Sequence, residues 1–253
     1  MRQNSIVSFA RLIIDPPARG TWNMAVDDAL LESAGEGVTS LRLYEWSEPT
    51  LSLGYFQAAA ERDGHAASRG CPLVRRASGG GAIIHDRELT YCLAVPIAER
   101  FAVQANLLYD AVHSALTESL AAFGVPSHLH EPTATAAAPA PPPFLCFQRR
   151  TRGDVLCGQA KIAGSAQRRQ RRGLVQHGSI LLSQSAAAPE LLGIEQIAGI
   201  SLIAGELAVA LADRLAGKLG LRRVNSALTD HEQSRAKNVE SGRFASAAWT
   251  CRR

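Results

Sequence analysis

The stretch RRASGGGAIIHDRELTYC, residues 75–92, joins a glycine-rich segment to the apolar pattern of a β-strand. The three consecutive glycines at 79–81 would destabilise a regular helix or strand, so they favour a sharp turn or a backbone that a ligand approaches closely. A glycine run alone also fits an ordinary hairpin turn. Here Arg76 precedes the glycines and His85 follows them, which favours a binding segment. The stretch has neither the GxxxxGK[ST] nor the GxGxxG pattern, so it predicts neither a P-loop nor a Rossmann fold.

Strand and helix patterns lie on both sides of this stretch without regular β-α-β alternation. The predicted strands are 11–15, 41–46, 50–56, 72–76, 82–85, 89–96, 146–150, 154–169 and 173–183. The predicted helices are 21–34, 101–123, 189–198 and 204–219. The strands at 41–46 and 50–56 are expected to form an antiparallel pair across the break at Glu48-Pro49. This order predicts an α+β fold with a mixed, largely antiparallel sheet and flanking helices.

The chain is expected to form one domain over residues 1–220, because 253 residues with 46% apolar content can bury one large core. The proline-rich segment PTATAAAPAPPP at 132–143 is interpreted as an extended surface connection, and a domain linker is the alternative. Residues 221–253 are polar and poorly periodic. The sequence leaves open whether this C-terminal tail is ordered.

Composition bounds the compartment and the partners. The net charge of +4 and the pI near 9.0 weakly favour an acidic or phosphate-bearing partner. Five cysteines are odd in number and lack close CxxC pairs, which fits a reducing cytoplasm better than a disulfide framework. The sequence contains neither a signal-peptide pattern nor an apolar run of about 18 residues, so we expect a soluble protein that does not bind a membrane. We assign no metal site.

A second polar cluster lies in KIAGSAQRRQRRGLVQHGSILL, residues 161–182. Lys161 belongs to a segment suited to burial, where an ammonium needs a counter-charge or a substrate oxygen. An edge-strand lysine that faces solvent is the alternative. His177 fits either a site residue or a hydrogen-bonded structural histidine. Small residues that permit close backbone approach accompany the two: Gly164, Ser165, Ala166 and Gly178.

Four ordered motifs make the sequence resemble the lipoate-protein ligase and octanoyltransferase family, which shares a catalytic fold with biotin-protein ligases. They are TWNMAVDDALL, LRLYEWSEPTLSLGYFQ, RRASGGGAIIHDRELTYCLAVP and GQAKIAGSAQRR…QHGSILL. The resemblance implies that residues 1–220 form the catalytic domain and that the RRxSGGGAxxHD segment lines the pocket for an acyl chain and its activated carbonyl. The substrate-binding residues it implies are Arg76, Ser78, Gly79, Gly80, Gly81, Ala82, His85, Gly164, Ser165, Ala166, His177 and Gly178.

The same resemblance implies the catalytic pair. Cys146 precedes the Lys161 strand where the cysteine-dependent, single-domain octanoyltransferases have their acyl-accepting cysteine. A thiolate suits transthioesterification, and a nearby ammonium would favour the thiolate and stabilise oxyanion charge. The alternative for Cys146 is a small buried hydrophobe, which is our interpretation of Cys92 and Cys157. A transferase of this type needs no cofactor, whereas a ligase would need ATP and Mg²⁺.

The choice between transferase and ligase rests on two observations that disagree. Only a helical stretch and the polar tail follow the HGSILL motif, so we expect no accessory domain of the kind common among the ligases, and this expectation favours the transferase. The segment FQRRTRGDVLCGQA, however, departs from the PSxYEL-like pattern of the transferases, and some ligases carry the accessory domain on a separate chain. An ATP-dependent lipoate-protein ligase acting through a lipoyl adenylate therefore remains the alternative.

The resemblance also implies partners. Acyl carrier protein would donate an octanoyl or lipoyl group, and a lipoyl domain of a 2-oxoacid dehydrogenase or the glycine cleavage H protein would accept it. A non-catalytic nucleic-acid-binding protein is the alternative from another class, but the arginines lack interleaved aromatic residues, so we expect no nucleic acid partner. We expect these arginines to form a solvated hairpin tip: Arg168, Arg169, Arg171 and Arg172. Biotin-protein ligase is disfavoured because a GRGRxGRxW-like motif is missing.

Overall fold

The computed structural model describes residues 9–98, 105–132 and 142–252. Its strands are β1 (Phe9–Ile14), β2 (Ser40–Tyr44), β3 (Thr50–Leu53), β4 (Leu73–Arg75), β5 (Ile83–His85), β6 (Glu88–Pro96), β7 (His128–Leu129), β8 (Val155–Cys157), β9 (Ala160–Gln170), β10 (Gly173–Leu181) and β11 (Arg222–Asn225). Its helices are α1 (Gly20–Gly35), α2 (Ala105–Ala122), α3 (Ile194–Ala198), α4 (Ala204–Leu219), α5 (Asp230–Val239) and α6 (Ala247–Thr250).

Eight of the described strands form one mixed sheet in the order β11-β1-β2-β6-β10-β9-β8-β7. Strands β11, β1 and β2 are parallel, and every neighbouring pair from β2 to β7 is antiparallel. The three longest strands, β6, β10 and β9, lie side by side in this sheet. The predicted α+β class with a mixed, largely antiparallel sheet is confirmed.

Helices cover both faces of this sheet. Helices α2 and α4 bury their apolar stripes on one face, where Leu108, Leu116 and Leu211 are completely buried. Helix α1 packs on the other face against β6 and β10, and Val26 and Leu30 are completely buried there. The sheet is thus the middle layer of three. No described helix has the length and apolar character needed to cross a bilayer.

A smaller sheet of β4, β3 and β5 carries the glycine-rich stretch on its edge, since that stretch connects β4 to β5. The predicted pairing of 41–46 with 50–56 is wrong. Strand β2 pairs with β1 and β6 in the large sheet, whereas β3 belongs to the small one. Beyond β2, Trp46 forms an isolated parallel bridge to Ala18, which continues the parallel alignment of β2 with β1. The chain therefore does not turn back after β2 to form a hairpin with β3.

The polar tail of the sequence contains strand β11 and helices α5 and α6. Strand β11 pairs with β1, and α5 with the following π-helical segment Glu240–Phe244 packs against α1. Glu232 is almost fully buried, where it pairs with Arg11 at 2.7 Å and accepts a hydrogen bond from Ser33 at 2.9 Å. The sequence of the tail is polar because part of its contact with the domain is made by such paired charges and not by an apolar stripe.

The end of the tail also reaches the glycine-rich stretch. Trp249 donates an indole hydrogen bond to the carbonyl of Arg75 at 3.0 Å, and the Arg75 guanidinium donates to the carbonyl of Thr250 at 3.0 Å. These contacts join α6 to the end of β4, immediately before the glycines. The tail therefore supports the segment that the sequence predicts to be a binding segment.

Other predicted boundaries differ in places. The strand predicted at 146–150 is wrong: Cys146–Gln148 is a 3-10 turn, because only Leu145 bridges to a neighbouring segment. The helix predicted at 189–198 begins only at Ile194, after Pro189 and Gly193. The start of the helix predicted at 101–123 and the core of the extended connection predicted at 132–143 lie outside the described residues.

Candidate active site

Two backbone hydrogen bonds join the glycine-rich stretch to the segment that carries Cys146. The Ala82 amide donates to the Phe144 carbonyl at 3.0 Å, and the Cys146 amide donates to the Ala82 carbonyl at 2.7 Å. Leu145, between them, is completely buried. The predicted nucleophile is therefore fixed to the glycine-rich stretch although the two are far apart in the sequence.

The glycines allow a close approach of backbone to backbone. Gly80 has a φ of +96°, in the region that side-chain-bearing residues rarely adopt. A Cβ on Gly54 would lie 1.9 Å from the Gly80 carbonyl oxygen, so β3 and the glycine segment touch there. At Gly80 itself a Cβ would lie 3.6 Å from Arg76 Nη2 and 3.9 Å from Cys146 Sγ. A side chain on Gly80 would therefore contact both the Arg76 guanidinium and the Cys146 thiol.

A cavity of about 420 Å³ opens over this segment, a size within the usual range for small-ligand sites. Among the predicted site residues, those that line it are Arg76, Gly79, Gly80, Gly81, His85, Cys146, Lys161, Gly164, Ser165, Ala166, His177 and Gly178. The other two do not line it. Ala82 is completely buried and contributes its backbone to the Cys146 segment, and Ser78 contacts His177.

The register of β9, β10 and β6 brings the second polar cluster to the same cavity. His177 lies opposite Ala166 on one side, and Gly178 lies opposite Ser165. A Cβ on Gly178 would lie within 2.7 Å of the Ser165 hydroxyl and the Tyr91 ring, so the glycine makes room for both. The two small-residue runs of the sequence are therefore neighbours in one part of the sheet.

Lys161 is buried in the cavity wall instead of facing solvent. Its side chain is 5% exposed, and its Nζ lies 2.8 Å from Oδ2 of Asp154, which is itself 1% exposed. The Thr151 amide also donates to Asp154 at 2.7 Å, and the Tyr109 hydroxyl donates to it at 3.1 Å. A Cβ on Gly164 would collide with the lysine side chain, so that glycine leaves space for it. The ammonium has the counter-charge that burial demands.

Asp154 is one of the cavity residues that the sequence reasoning missed. The signal for it was present, because a lysine in a buried strand requires a nearby carboxylate. Asp154 precedes the first residue of β8, directly beside the Lys161 strand. Pairing across neighbouring strands could have identified it before the structure.

Removing the Asp154 charge is expected to destabilise the fold. Asp154→Asn leaves the Lys161 ammonium buried without a counter-ion, which costs about 3 kcal/mol. Urea unfolding followed by circular dichroism measures the change. Asp110→Asn is the matched control, because its pair with Arg152 is long and exposed and should contribute under about 0.5 kcal/mol. Equal stability of the two variants would contradict a buried Lys161 pair.

Ser165 belongs to a buried hydrogen-bond network. Its hydroxyl forms short hydrogen bonds with Tyr91 and with Nε2 of His113, and Gln176 donates to the Tyr91 hydroxyl at 3.2 Å. Burial lowers the pKa of His113, which favours the neutral imidazole. The network fixes the Ser165 hydroxyl at the cavity wall. Its members Tyr91, His113 and Gln176 were not predicted as site residues.

A second network holds the other side of the cavity. Arg76 donates to both the carbonyl and the hydroxyl of Ser52, and the Ser52 hydroxyl lies 2.9 Å from Nε2 of His85. His85 continues the chain to Glu88 at 2.7 Å through Nδ1 and stacks on Trp46 at a centroid distance of 3.9 Å. Predicted site residues Arg76 and His85 are thus connected through one serine.

His177 is neutral in this environment. Its Nε2 lies 2.6 Å from the Ser78 hydroxyl, and burial lowers the pKa of His177 to about 3, with further lowering by nearby positive groups that include Arg76 and Arg168. A neutral imidazole can accept the Ser78 hydrogen bond. His177 therefore supplies no positive charge at neutral pH.

The pKa of His177 predicts a pH dependence of stability. The unfolded chain binds a proton at this histidine below about pH 6.5, whereas the folded protein does not until about pH 3, so stability falls as the pH is lowered through this window. The unfolding free energy of His177→Gln should fall less steeply than that of the wild type as the pH is lowered. The two slopes should differ by up to about 1.4 kcal/mol per pH unit. Urea midpoints at pH 6.5, 5.5 and 4.5 measure the slopes. The exposed His231, replaced in the same way, is the control, and parallel slopes for His177→Gln and wild type would refute the assignment.

The cysteines differ in their surroundings. Cys92 and Cys157 are buried, and burial raises the pKa of each thiol, as expected for the structural role assigned to them. Cys146 is partly exposed and lines the cavity. Among residues 9–98, 105–132 and 142–252, no group of three or more histidine, cysteine, aspartate or glutamate side chains is placed to hold a metal ion.

The arginine hairpin is only partly solvated. Arg171 and Arg172 are exposed at its tip, but Arg168 pairs with Asp28 at 3.3 Å, and Asp28 also pairs with Arg243 of the tail at 2.7 Å. The interpretation of all four arginines as a solvated tip is therefore wrong for Arg168, because a buried carboxylate of α1 attracts it.

The chain is similar to known proteins in sequence and in fold. The family model described as lipoyl protein ligase A/B catalytic domain matches residues 19–196. Octanoyltransferase LipM of Kyrpidia tusciae is 32% identical, with 96% of this chain and 98% of that protein covered. Octanoyltransferase LipM of Moorella thermoacetica is also 32% identical, with 91% and 93% covered.

A solved structure has the same fold. The putative lipoate protein ligase Ta0514 from T. acidophilum with bound lipoic acid superposes with a TM-score of 0.78 at 20% identity, and the match covers 96% of this chain and 99% of that one. The matched residues 19–196 contain the glycine-rich stretch, Cys146, Lys161 and the β9–β10 hairpin around the cavity. The chain belongs to the family of lipoyl protein ligase A/B catalytic domains.

Proposed function

We propose that the protein is an octanoyltransferase of lipoate biosynthesis that moves an octanoyl group from acyl carrier protein to a lysine of a lipoyl domain through a Cys146 thioester. Its similarity to the two LipM octanoyltransferases over nearly their whole length supports octanoyl transfer. The observation that carries the mechanism is the position of Cys146, which lines the cavity and is joined to the glycine-rich stretch by a backbone hydrogen bond.

In the first half-reaction, the Cys146 thiolate attacks the carbonyl carbon of the donor thioester. A C–S bond to Cys146 forms, the C–S bond to the carrier breaks, and the departing carrier thiolate takes up a proton. A thiolate suits this exchange because the acyl group stays activated as a thioester. The glycine-rich stretch leaves room for the donor beside the sulfur, since Gly80 places no side chain between Arg76 and Cys146.

In the second half-reaction, the neutral amine of the acceptor lysine attacks the acyl-enzyme. A C–N bond forms, the C–S bond to Cys146 breaks, and the proton lost by the amine passes to the departing Cys146 thiolate or to water. Lys161 lies in the same cavity, where its ammonium can stabilise the oxyanion that develops on the acyl carbonyl in both halves. This route uses no nucleotide and no metal. The free cysteines fit a reducing cytoplasm as the place of reaction.

Intact-mass analysis tests the proposal. The protein is mixed with octanoyl-acyl carrier protein without ATP, and we expect the mass to rise by one octanoyl group that hydroxylamine removes. Peptide mapping should place the group on Cys146. A lipoyl domain added afterwards should gain the octanoyl group as a stable amide while the enzyme loses it.

The alternative ligase reaction predicts a different result. A lipoate-protein ligase would leave the enzyme unmodified without ATP and would modify the lipoyl domain only when free lipoate, ATP and Mg²⁺ are supplied. Transfer under those conditions alone, with no enzyme-bound thioester, would overturn the proposed function.

A further inference from the structure

The hydroxyl of Ser165 has a direction that its hydrogen-bond partners fix. The backbone carbonyl of Gly153, which can only accept a hydrogen bond, lies 2.5 Å from Nδ1 of the buried His113. Nδ1 therefore carries the proton. Burial lowers the pKa of His113, so the imidazole is neutral and its Nε2 is an acceptor. The Ser165 hydroxyl contacts that nitrogen and therefore donates its proton to it.

The other contacts of this hydroxyl agree with the same direction. Since His113 holds the Ser165 proton, the Tyr91 hydroxyl is the donor in its hydrogen bond with Ser165. The side-chain amide of Gln176 in turn donates to the Tyr91 oxygen at 3.2 Å. Each of these hydrogen bonds thus has its donor on the Gln176 side and its acceptor on the His113 side.

Ser165 has one acceptor position left. A serine hydroxyl has one proton and two lone pairs. Among the described residues, His113 takes the proton and Tyr91 occupies one lone pair, which leaves the second lone pair. Ser165 is partly exposed and lines the cavity, whereas both partners are buried. The hydroxyl can therefore accept a hydrogen bond from a ligand in the cavity, but it can donate one only by breaking its bond to His113.

Lys161 places a donor on the same stretch of β9. A Cβ on Gly164, the residue before Ser165, would lie 2.8 Å from Lys161 Nζ. Both Lys161 and Ser165 line the cavity. Attack of an amine on a thioester uses both kinds of group, because negative charge develops on the carbonyl oxygen while the attacking nitrogen still carries hydrogen atoms that it can donate.

We propose that Ser165 Oγ accepts a hydrogen bond from the amine of the acceptor lysine and directs its lone pair toward the acyl carbon, and that His113 is the positioning residue that fixes this hydroxyl. The inference rests on the proposed function and assigns the contact to its second half-reaction. Ser165 gains no proton. The C–N bond forms, the C–S bond to Cys146 breaks, and the proton lost by the amine passes to the departing thiolate or to water.

The test discharges one acyl-enzyme to two nucleophiles. Octanoyl-enzyme is prepared with octanoyl-acyl carrier protein, separated from the carrier, and mixed with a lipoyl domain or with the carrier in its free-thiol form. Mass spectrometry of quenched samples follows its decay. Ser165→Ala should slow transfer to the lysine about tenfold, the effect of one lost hydrogen bond. Transfer to the thiol should stay within about threefold of wild type, because a thiolate has no N–H to donate.

Ser119→Ala is the matched control, because it removes a buried hydroxyl of α2 that donates to the Ala115 carbonyl in the same helix. Both transfer rates should remain at the wild-type level. His113→Phe removes the acceptor of the Ser165 proton, so the hydroxyl can turn that proton toward the cavity. It should slow transfer to the lysine about as much as Ser165→Ala. The double variant should be no slower than Ser165→Ala alone, since His113 acts through Ser165.

Thermal melts establish that each variant is folded. If Ser165→Ala does not fold, Ser165→Cys takes its place, because sulfur is a weak acceptor. If His113→Phe does not fold, the comparison of the two nucleophiles decides alone. An unchanged rate to the lysine, or an equal loss with both nucleophiles, overturns the inference while the octanoyl-enzyme still supports the proposed function. A double variant about tenfold slower than Ser165→Ala overturns the role of His113. If the wild type forms no octanoyl-enzyme, the proposed function fails and the inference fails with it.

Discussion

Cys146→Ala is expected to lower octanoyl transfer by at least about a thousandfold, because the variant has no nucleophile to receive the acyl group. The cysteine is partly exposed at the cavity wall, and only its backbone amide takes part in fixing the segment. Removing the sulfur should therefore leave the fold intact. Transfer of radiolabelled octanoyl to a lipoyl domain measures the loss, and a thermal melt measures the stability.

Cys71→Ala is the matched control, because Cys71 is also partly exposed but does not line the cavity. It should retain wild-type transfer. Cys146→Ser gives a sharper comparison, since a hydroxyl is a far weaker nucleophile near neutral pH. If Cys146→Ser acquires a hydroxylamine-labile octanoyl group as fast as the wild type, the acyl group is carried elsewhere.

Gly80→Val is expected to lower transfer by at least about a hundredfold in a folded protein. The φ of +96° at Gly80 is strained for any side chain and most for a β-branched one, at a cost of order 1–3 kcal/mol. The valine would also enter the space between Arg76 and Cys146, and a displacement of about 1 Å there can cost a hundredfold in rate. The rate of acyl-enzyme formation, followed by mass spectrometry of samples quenched at successive times, measures the effect.

Gly79→Ala provides the control for this substitution. Its backbone does not have a positive φ, and a Cβ there would meet only the Phe56 ring at 3.9 Å, an ordinary contact. We expect transfer within a few fold of wild type. Similar losses in both variants would mean that the segment tolerates no side chain at all, and unchanged transfer in Gly80→Val would mean that the run is only a turn.

Local patterns predicted much of this structure because they report burial. Helix α4 has the bounds that its apolar period predicts, 204–219. The pairing of Cys146 with Lys161 was implied by the family resemblance, and both residues line one cavity. The same patterns gave no information on which buried strands are neighbours. Strand β2 is buried along its whole length by β1 and β6, and nothing in its sequence distinguishes those partners from β3.

The site residues that were missed have a common physical reason. Asp154 is recognisable only from the lysine that it neutralises, and His113 only from the serine that it contacts, so each requires a second residue at known position. The contacts of the tail with the rest of the domain were hidden for the same reason. Glu232 and Glu240 look like surface charges in sequence, but each meets an arginine from the first part of the chain.

The pairing of β1 with β11 has a consequence for biosynthesis. Phe9 of β1 aligns with Arg222 of β11, so β1 can form this pairing only after more than 200 further residues have been translated. Trp249, which anchors the end of β4 beside the glycine-rich stretch, emerges later still. Contacts of such sequence separation form slowly and leave a strand edge unpaired until they do. A ribosome-bound chain that ends before β11 is therefore expected to have an open edge at β1, and its glycine-rich stretch lacks the Trp249 contact until α6 is released.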